Sequence, residues 1–234
     1  MAARAAAPVL SLHGVALGRR RAAARAGLID LELARGQVAI VEVDSDDDAS
    51  FLVDVCVGLA EPPAGAARYF DRDWRELSFR ARLAARGRIG TVVLTQVWPA
   101  HLSIAEAVLA PRLYHTDRTE AQAAAEATAL ARMFDLPGLP AGRRETTPSG
   151  ELIRAACVRG FLGSPELVVV QDPALDDIAA LGVAMAQAVA AVQDRGGGVL
   201  WIAGSASAVA ARFVRADLVL RLGEKGLVPV RRSQ

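Results

Sequence analysis

An α/β fold built on a mostly parallel sheet is what this sequence predicts, and three observations predict it. Four short, largely apolar runs, Val38–Val41, Ile89–Leu94, Leu167–Val170 and Val199–Ala203, have the length and character of buried strands. Helix-length segments lie between them and stop at Gly or Pro, as at Gly58, at Gly163 with Pro165, and at Gly196–Gly198. The chain has 234 residues, 53% hydrophobic and 23% charged, which suffices for a substantial core and excludes disorder.

In chain order, Val9–Leu12 and Ile29–Leu33 alternate as short strands do, with a basic turn at Arg19–Arg21 and Arg25 between them. Gly36 opens the Val38–Val41 strand. An acidic loop from Glu42 to Asp48 follows, then a helix over Phe51–Leu59, ended by Gly58 and the Pro62-Pro63 turn. After the Ile89–Leu94 strand comes Gln96, and residues from about 97 to 148 read as helical. Asp117 with Glu120 forms a capping-box pattern for a helix running to about Phe134, which Pro137, Gly138 and Pro140 break. Ser149 is placed to cap a helix reaching about Leu162. Asp176 or Asp177 starts an Ala-rich helix to about Gln193. A helix near Ala206–Phe213, a strand Leu218–Leu222, a turn Gly223–Gly226 and a strand Leu227–Val230 complete the chain.

Composition excludes several functions. Lys plus Arg is 27 and Asp plus Glu is 26, a net charge of +1, so nothing draws the whole chain to nucleic acid or an anionic membrane. Lys225 is the only lysine, which removes lysine-dependent chemistry from everywhere else. Cys56 and Cys157 are too few and too far apart for a zinc site and read as small buried apolar residues. His13, His101 and His115 make no ligand cluster, so no metal is expected. Met1–Ala7 has no apolar leader core, and the longest uncharged stretches, Ile89–Ala105 and Gly196–Ala211, carry Gln, Pro, His, Gly or Ser. A soluble, cytoplasmic chain able to dock on a membrane protein is expected.

Ligands of parallel sheets sit at the C-terminal ends of strands. The first such end reads Glu42-Val-Asp-Ser-Asp-Asp-Asp-Ala-Ser50, and residues 42–54 hold six acids and no base. A strand, a tight loop and a helix N-terminus is where phosphate is cradled, but this loop has no glycine and no lysine. Taken alone it is a solvated turn, a surface for a basic partner, or a Ca²⁺ loop. Asp44, Asp46 and Asp48 suit the first EF-hand positions, whereas Ala49 and Val55 miss the required Gly and Glu.

The order of the blocks nevertheless resembles an ATP-binding-cassette (ABC) transporter ATPase subunit over nearly the whole length. Gly36-Gln-Val-Ala-Ile-Val41 is similar to the strand before that family's P-loop, and Ser50-Phe-Leu with Gly58-Leu59 to the helix after it. Asp71–Gln96 is similar to the run into the Q-loop, and Val97–Pro111 to the start of the helical subdomain. Thr147-Pro-Ser-Gly-Glu151 is similar to the signature motif, Leu167–Pro173 to Walker B, and Val199–Ser205 to the switch-histidine strand. The resemblance implies a single P-loop NTPase-like domain over 1–234. Its core would be 1–96 and 151–234, with a mostly parallel sheet and an antiparallel β part, and its helical subdomain about 97–150. His101-Leu-Ser and Glu106–Pro111 look most like bacterial lipid or lipoprotein transporters.

Against the family's Walker A pattern GxxGxGK[ST][ST], the segment Glu42, Asp44, Ser45, Asp46, Asp47, Asp48, Ala49, Ser50 is degenerate. Glu42, Ser45 and Asp47 take glycine places and Asp48 takes the lysine place, so attraction for phosphate becomes repulsion. One unit pair at ~4 Å and an effective ε of ~20 is worth about 4 kcal/mol, so the swing approaches twice that before screening. Gln171 stands where an aspartate would serve the magnesium shell, Asp172 at the general-base place, and Gly204 at the switch-histidine place. No aromatic stands near Leu17–Arg20 to stack on adenine. Ser149-Gly150 is kept from the signature, Glu151 and Leu152 replace its next Gly and Gln, and Gln96 is the one functional position fully kept.

The resemblance therefore implies a pseudo-ATPase without ATP on its own loop. ATP and Mg would be shared only with a partner subunit that reads Ser149-Gly150. The expected partners are a membrane permease and a second ATPase subunit, as heterodimer or homodimer, and not nucleic acid. The expected location is peripheral to the inner membrane. An ATPase working through Asp172 and Gln96, and a soluble interaction module on the same fold, are the alternatives.

Overall fold

The computed structural model describes residues 7–17, 27–93, 98–171, 175–203 and 213–230. Gln96, Asp172 and Gly204 lie outside these residues, as do the basic turn at 19–21 and 25 and most of the helix placed at 206–213.

Ten strands and six α-helices are described: β1 Leu10–Val15, β2 Ile29–Leu33, β3 Val38–Glu42, α1 Asp46–Cys56, β4 Ala66–Tyr69, β5 Arg72–Asp73, α2 Phe79–Arg86, β6 Ile89–Val92, α3 Ile104–His115, α4 Glu120–Met133, α5 Ser149–Phe161, β7 Leu167–Gln171, α6 Leu175–Asp194, β8 Gly198–Ala203, β9 Leu218–Gly223 and β10 Gly226–Pro229. Six strands form the main sheet in the order β10-β9-β3-β8-β7-β6. All its pairs are parallel except the β9–β10 hairpin. Four more strands form a separate antiparallel sheet, β2-β1-β4-β5. The α/β architecture and its antiparallel part are thus as the sequence predicts. Strands β4 and β5 carry too little apolar alternation to be read in advance.

The apolar strand runs are explained by burial on both faces. Val38, Ile40, Val168, Val170, Val199 and Trp201 point into one core layer, shared with α3, α4, α5 and α6. Their neighbours Ala39, Val41, Leu167, Val169, Leu200 and Ile202 point into a second, shared with α1 and the antiparallel sheet. Side chains alternate across a strand, so two cores of this kind demand an apolar residue at every position.

Three local expectations are corrected. The helix after β3 starts at Asp46, not Phe51, because Ser45 caps it and acids suit a first turn. Helix α4 is capped by Thr119 and Gln122, which exchange both capping-box bonds, rather than by Asp117 and Glu120. Ser149 is not a cap: Pro148 holds that place without a side-chain bond, and Ser149 is the first helical residue. At α3, Ser103 and Glu106 form a further capping box, and Ser103's backbone N–H and hydroxyl hold the Glu106 carboxyl below the usual range. The His101-Leu-Ser…Glu106 pattern therefore has a local, helix-starting cause.

Both cysteines are free and buried, and burial pushes both thiols up, that of Cys157 to about 12, so neither is a thiolate at neutral pH. No helix among the described residues is long and apolar enough to cross a membrane. Helix α5 meets β6 through two glycines. A Cβ on Gly90 would collide with the carbonyl of Gly160 in α5, and one on Gly160 would meet Val92 and the Thr91 carbonyl. Gly90→Ala is therefore expected to cost at least about 1–3 kcal/mol by overpacking. Urea unfolding reads this as a lowered midpoint at unchanged slope; a wild-type midpoint would contradict the packing.

Candidate functional site

The C-terminal ends of the parallel strands are set side by side. Glu42 ends β3 opposite Ala203 of β8 and Arg221 of β9, and Gln171 ends β7 opposite Ile202 of β8. Only Val43, Asp44 and Ser45 separate β3 from α1. Strand and helix both reach into the segment that resembles a P-loop, and three residues join them.

The N-terminus of α1 is furnished by its own chain. Ser45 is extended, with φ −116° and ψ 126°, and its hydroxyl accepts the backbone N–H of Asp48 at 3.3 Å. Asp46, Asp47 and Asp48 occupy the first turn, where four backbone N–H groups lack helical partners and the helix dipole is positive. Carboxylates there are favourable by about 0.3–1 kcal/mol each. The positive end that would draw an anion thus already carries three. Asp44 leans the other way, accepting from Arg221 Nη2 at 3.1 and 3.4 Å in an exposed ion pair of little energetic weight. Ala49, at the first hydroxyl place of the Walker A pattern, is buried in the core against which α1 packs.

Two singled-out residues do meet. Gln171 is buried, and its Nε2 donates to Ser50 Oγ at 3.0 Å, tying β7 to α1. Its Oε1 is buried without a partner among the described residues. Beside this bond lies a groove of about 250 Å³ bounded by Ser50, Val53, Asp54, Leu59, Thr91 and Gln171. Sequence reading singled out both residues but missed their bond: a serine and a glutamine 121 residues apart carry no sequence signal of contact. Arg221 was missed for the same reason, since only strand register places it beside Glu42 and Asp44.

Ser149 and Gly150 stand elsewhere, on the first turn of α5, and no bond among the described residues joins them to α1. Ser149 is exposed, and Arg154 Nη1 donates to the Gly150 carbonyl at 3.3 Å. The start of α5 lacks a side-chain cap and has Glu151 as its one first-turn acid. It is the more open of the two helix N-termini. Among the described residues, no cluster of three or more His, Cys, Asp or Glu is placed to hold a metal ion.

The Ser50–Gln171 bond has a measurable weight. Ser50→Ala leaves the buried amide unpartnered at both ends and is expected to cost about 1–2 kcal/mol, while adding Gln171→Leu recovers most of that loss. Denaturant unfolding of the single and double variants checks this; strictly additive losses would show that the bond contributes nothing.

No protein-family profile matches this sequence, and no curated protein matches it. Solved structures do match in shape. One is the ATP-binding subunit of an ABC transporter, with a TM-score of 0.74 at 20% identity, covering 94% of this chain and 88% of that one. A dimeric bacterial ABC transporter cassette gives a TM-score of 0.76 at 16% identity, over 96% of this chain and 100% of the other. CbiO1 from Clostridium perfringens, described as part of the ABC transporter complex CbiONQ, gives 0.71 at 14% identity, over 95% and 87%. This chain has the fold of an ABC transporter ATP-binding cassette.

Proposed function

We propose that this chain is a catalytically degenerate nucleotide-binding subunit of an ABC transporter, with a structural and coupling role. The observation that carries the reading is the start of α1, where Ser45 caps the helix and Asp46, Asp47 and Asp48 fill its first turn. The residues present do not fit a magnesium-bound triphosphate. The first turn carries three acids of its own, and the segment holds no lysine. Ala49 has no hydroxyl to offer a metal, and the amide of Gln171 donates to Ser50 where a carboxylate would be needed.

Pairing follows from the complementary half. The uncapped first turn of α5 presents an exposed Ser149 and a half-buried Gly150, which a competent ATPase subunit would use against its own ATP. Two of the similar solved structures are dimeric cassettes, one of them bound to ADP and Pi, which supports such pairing. A permease partner, and a place at the cytoplasmic face of the inner membrane, follow from the same reading. A lipid or lipoprotein cargo rests on the His101-Leu-Ser and Glu106–Pro111 resemblance alone.

The test is the complex recovered from native membranes. The proposal predicts a permease and a second ATPase subunit in it. Ser149→Ala in this chain should slow ATP hydrolysis by about tenfold or more, the scale of losing a phosphate-site donor. Asp172→Asn should leave the rate unchanged. A rate that falls with Asp172→Asn would make this chain an active ATPase, and recovery without any permease would make it a soluble interaction module.

A further inference from the structure

A second polar cavity lies away from the strand ends described above. It sits where the end of α2 turns into β6, between α3 and α5, at the opposite end of β6 from the edge marked by Gln171 on its neighbour β7. Its volume is about 80 Å³, several times the roughly 10–15 Å³ that one water needs on the same measure, and room enough for a tetrahedral oxyanion. Of its 13 lining residues none is acidic, while Arg86, Arg112, His115 and Arg159 all face it.

These basic residues are not equally satisfied. Arg86 Nη1 donates to the Gly58 carbonyl at 3.2 Å, and Arg112 Nε to Glu126 at 3.1 Å. His115 is held below its usual range by burial and by Arg86, so it is a neutral donor at pH 7. Arg159 differs. Its Nη2 is buried without a hydrogen-bond partner, and it has no ion pair among the described residues. Its guanidinium lies 4.7 Å over the ring of Trp98, a contact that attracts a cation but accepts no N–H bond. Burial pulls it down, to about 10, and no carboxylate among the described residues opposes the shift. A mostly buried cation with an orphan donor is costly to keep, and an entering anion removes both defects at once.

We propose that this cavity binds a phosphoryl oxyanion, with Arg159 as its principal ligand and Arg112 and Arg86 supplying further positive charge. The planar guanidinium fork matches two oxygens of a tetrahedral anion, which a point-like ammonium does not. The site is independent of the degenerate segment at α1 and of the role proposed for it.

Titration calorimetry of the full chain with inorganic phosphate, at fixed ionic strength against chloride, tests the proposal. A parallel arm uses vesicles containing phosphatidic acid, which separates a free anion from a lipid headgroup. Saturable binding in one arm is expected, weakened about tenfold or more by Arg159→Met, equivalent to about 1.4 kcal/mol. Arg159→Lys keeps the charge and loses the fork, so it serves should the methionine variant not fold, and it too should weaken binding. Absence of saturable binding in both arms would overturn the proposal, as would binding that the Arg159 variants leave unchanged.

Discussion

A helix that begins at the end of a parallel strand has backbone N–H groups it cannot satisfy itself, and what answers them decides what the site can be. In this chain the answer is internal. The Ser45 hydroxyl takes the N–H of Asp48, and three carboxylates stand on the positive end of the α1 dipole. The same arrangement that makes α1 a well-started helix makes it a poor host for a polyanion. Stability and phosphate binding would compete for the same few donors, and the Ser45 hydroxyl already holds one of them.

The neighbouring positions follow from that choice. The strand end at Gln171 and the helix at Ser50 join through a neutral hydrogen bond, which holds β7 close to α1. The start of α5 shows the other solution: no side-chain cap, one first-turn acid, and an exposed Ser149. The chain thus has one filled and one open helix N-terminus; under the proposed function, such a subunit would complete another's site without having one.

Much of the main sheet was legible because two-sided burial leaves a plain mark. Val38–Val41, Leu167–Val170 and Val199–Ala203 are continuous apolar runs, and the strands lie there to within a residue. The start of α1 was misread because a run of acids looks like a solvated loop; Ser45 followed by Asp48 was the available capping signal. Strands β4 and β5 are short and are held by pairing, β4 to β1 and β5 to β4, which local pattern does not encode. The Ser50–Gln171 bond and the Arg159 cavity depend on elements far apart in sequence. Gln96, Asp172 and Gly204, which the sequence singled out with equal force, lie outside the described residues.

The most direct measurement is calorimetry of the isolated chain with ATP and magnesium. Carboxylates at the phosphate end of the site predict no saturable heat up to about 1 mM nucleotide, since any remaining affinity falls short of about −4 kcal/mol. Micromolar binding would mean that the α1 terminus accepts a triphosphate despite its acids, and would contradict the account.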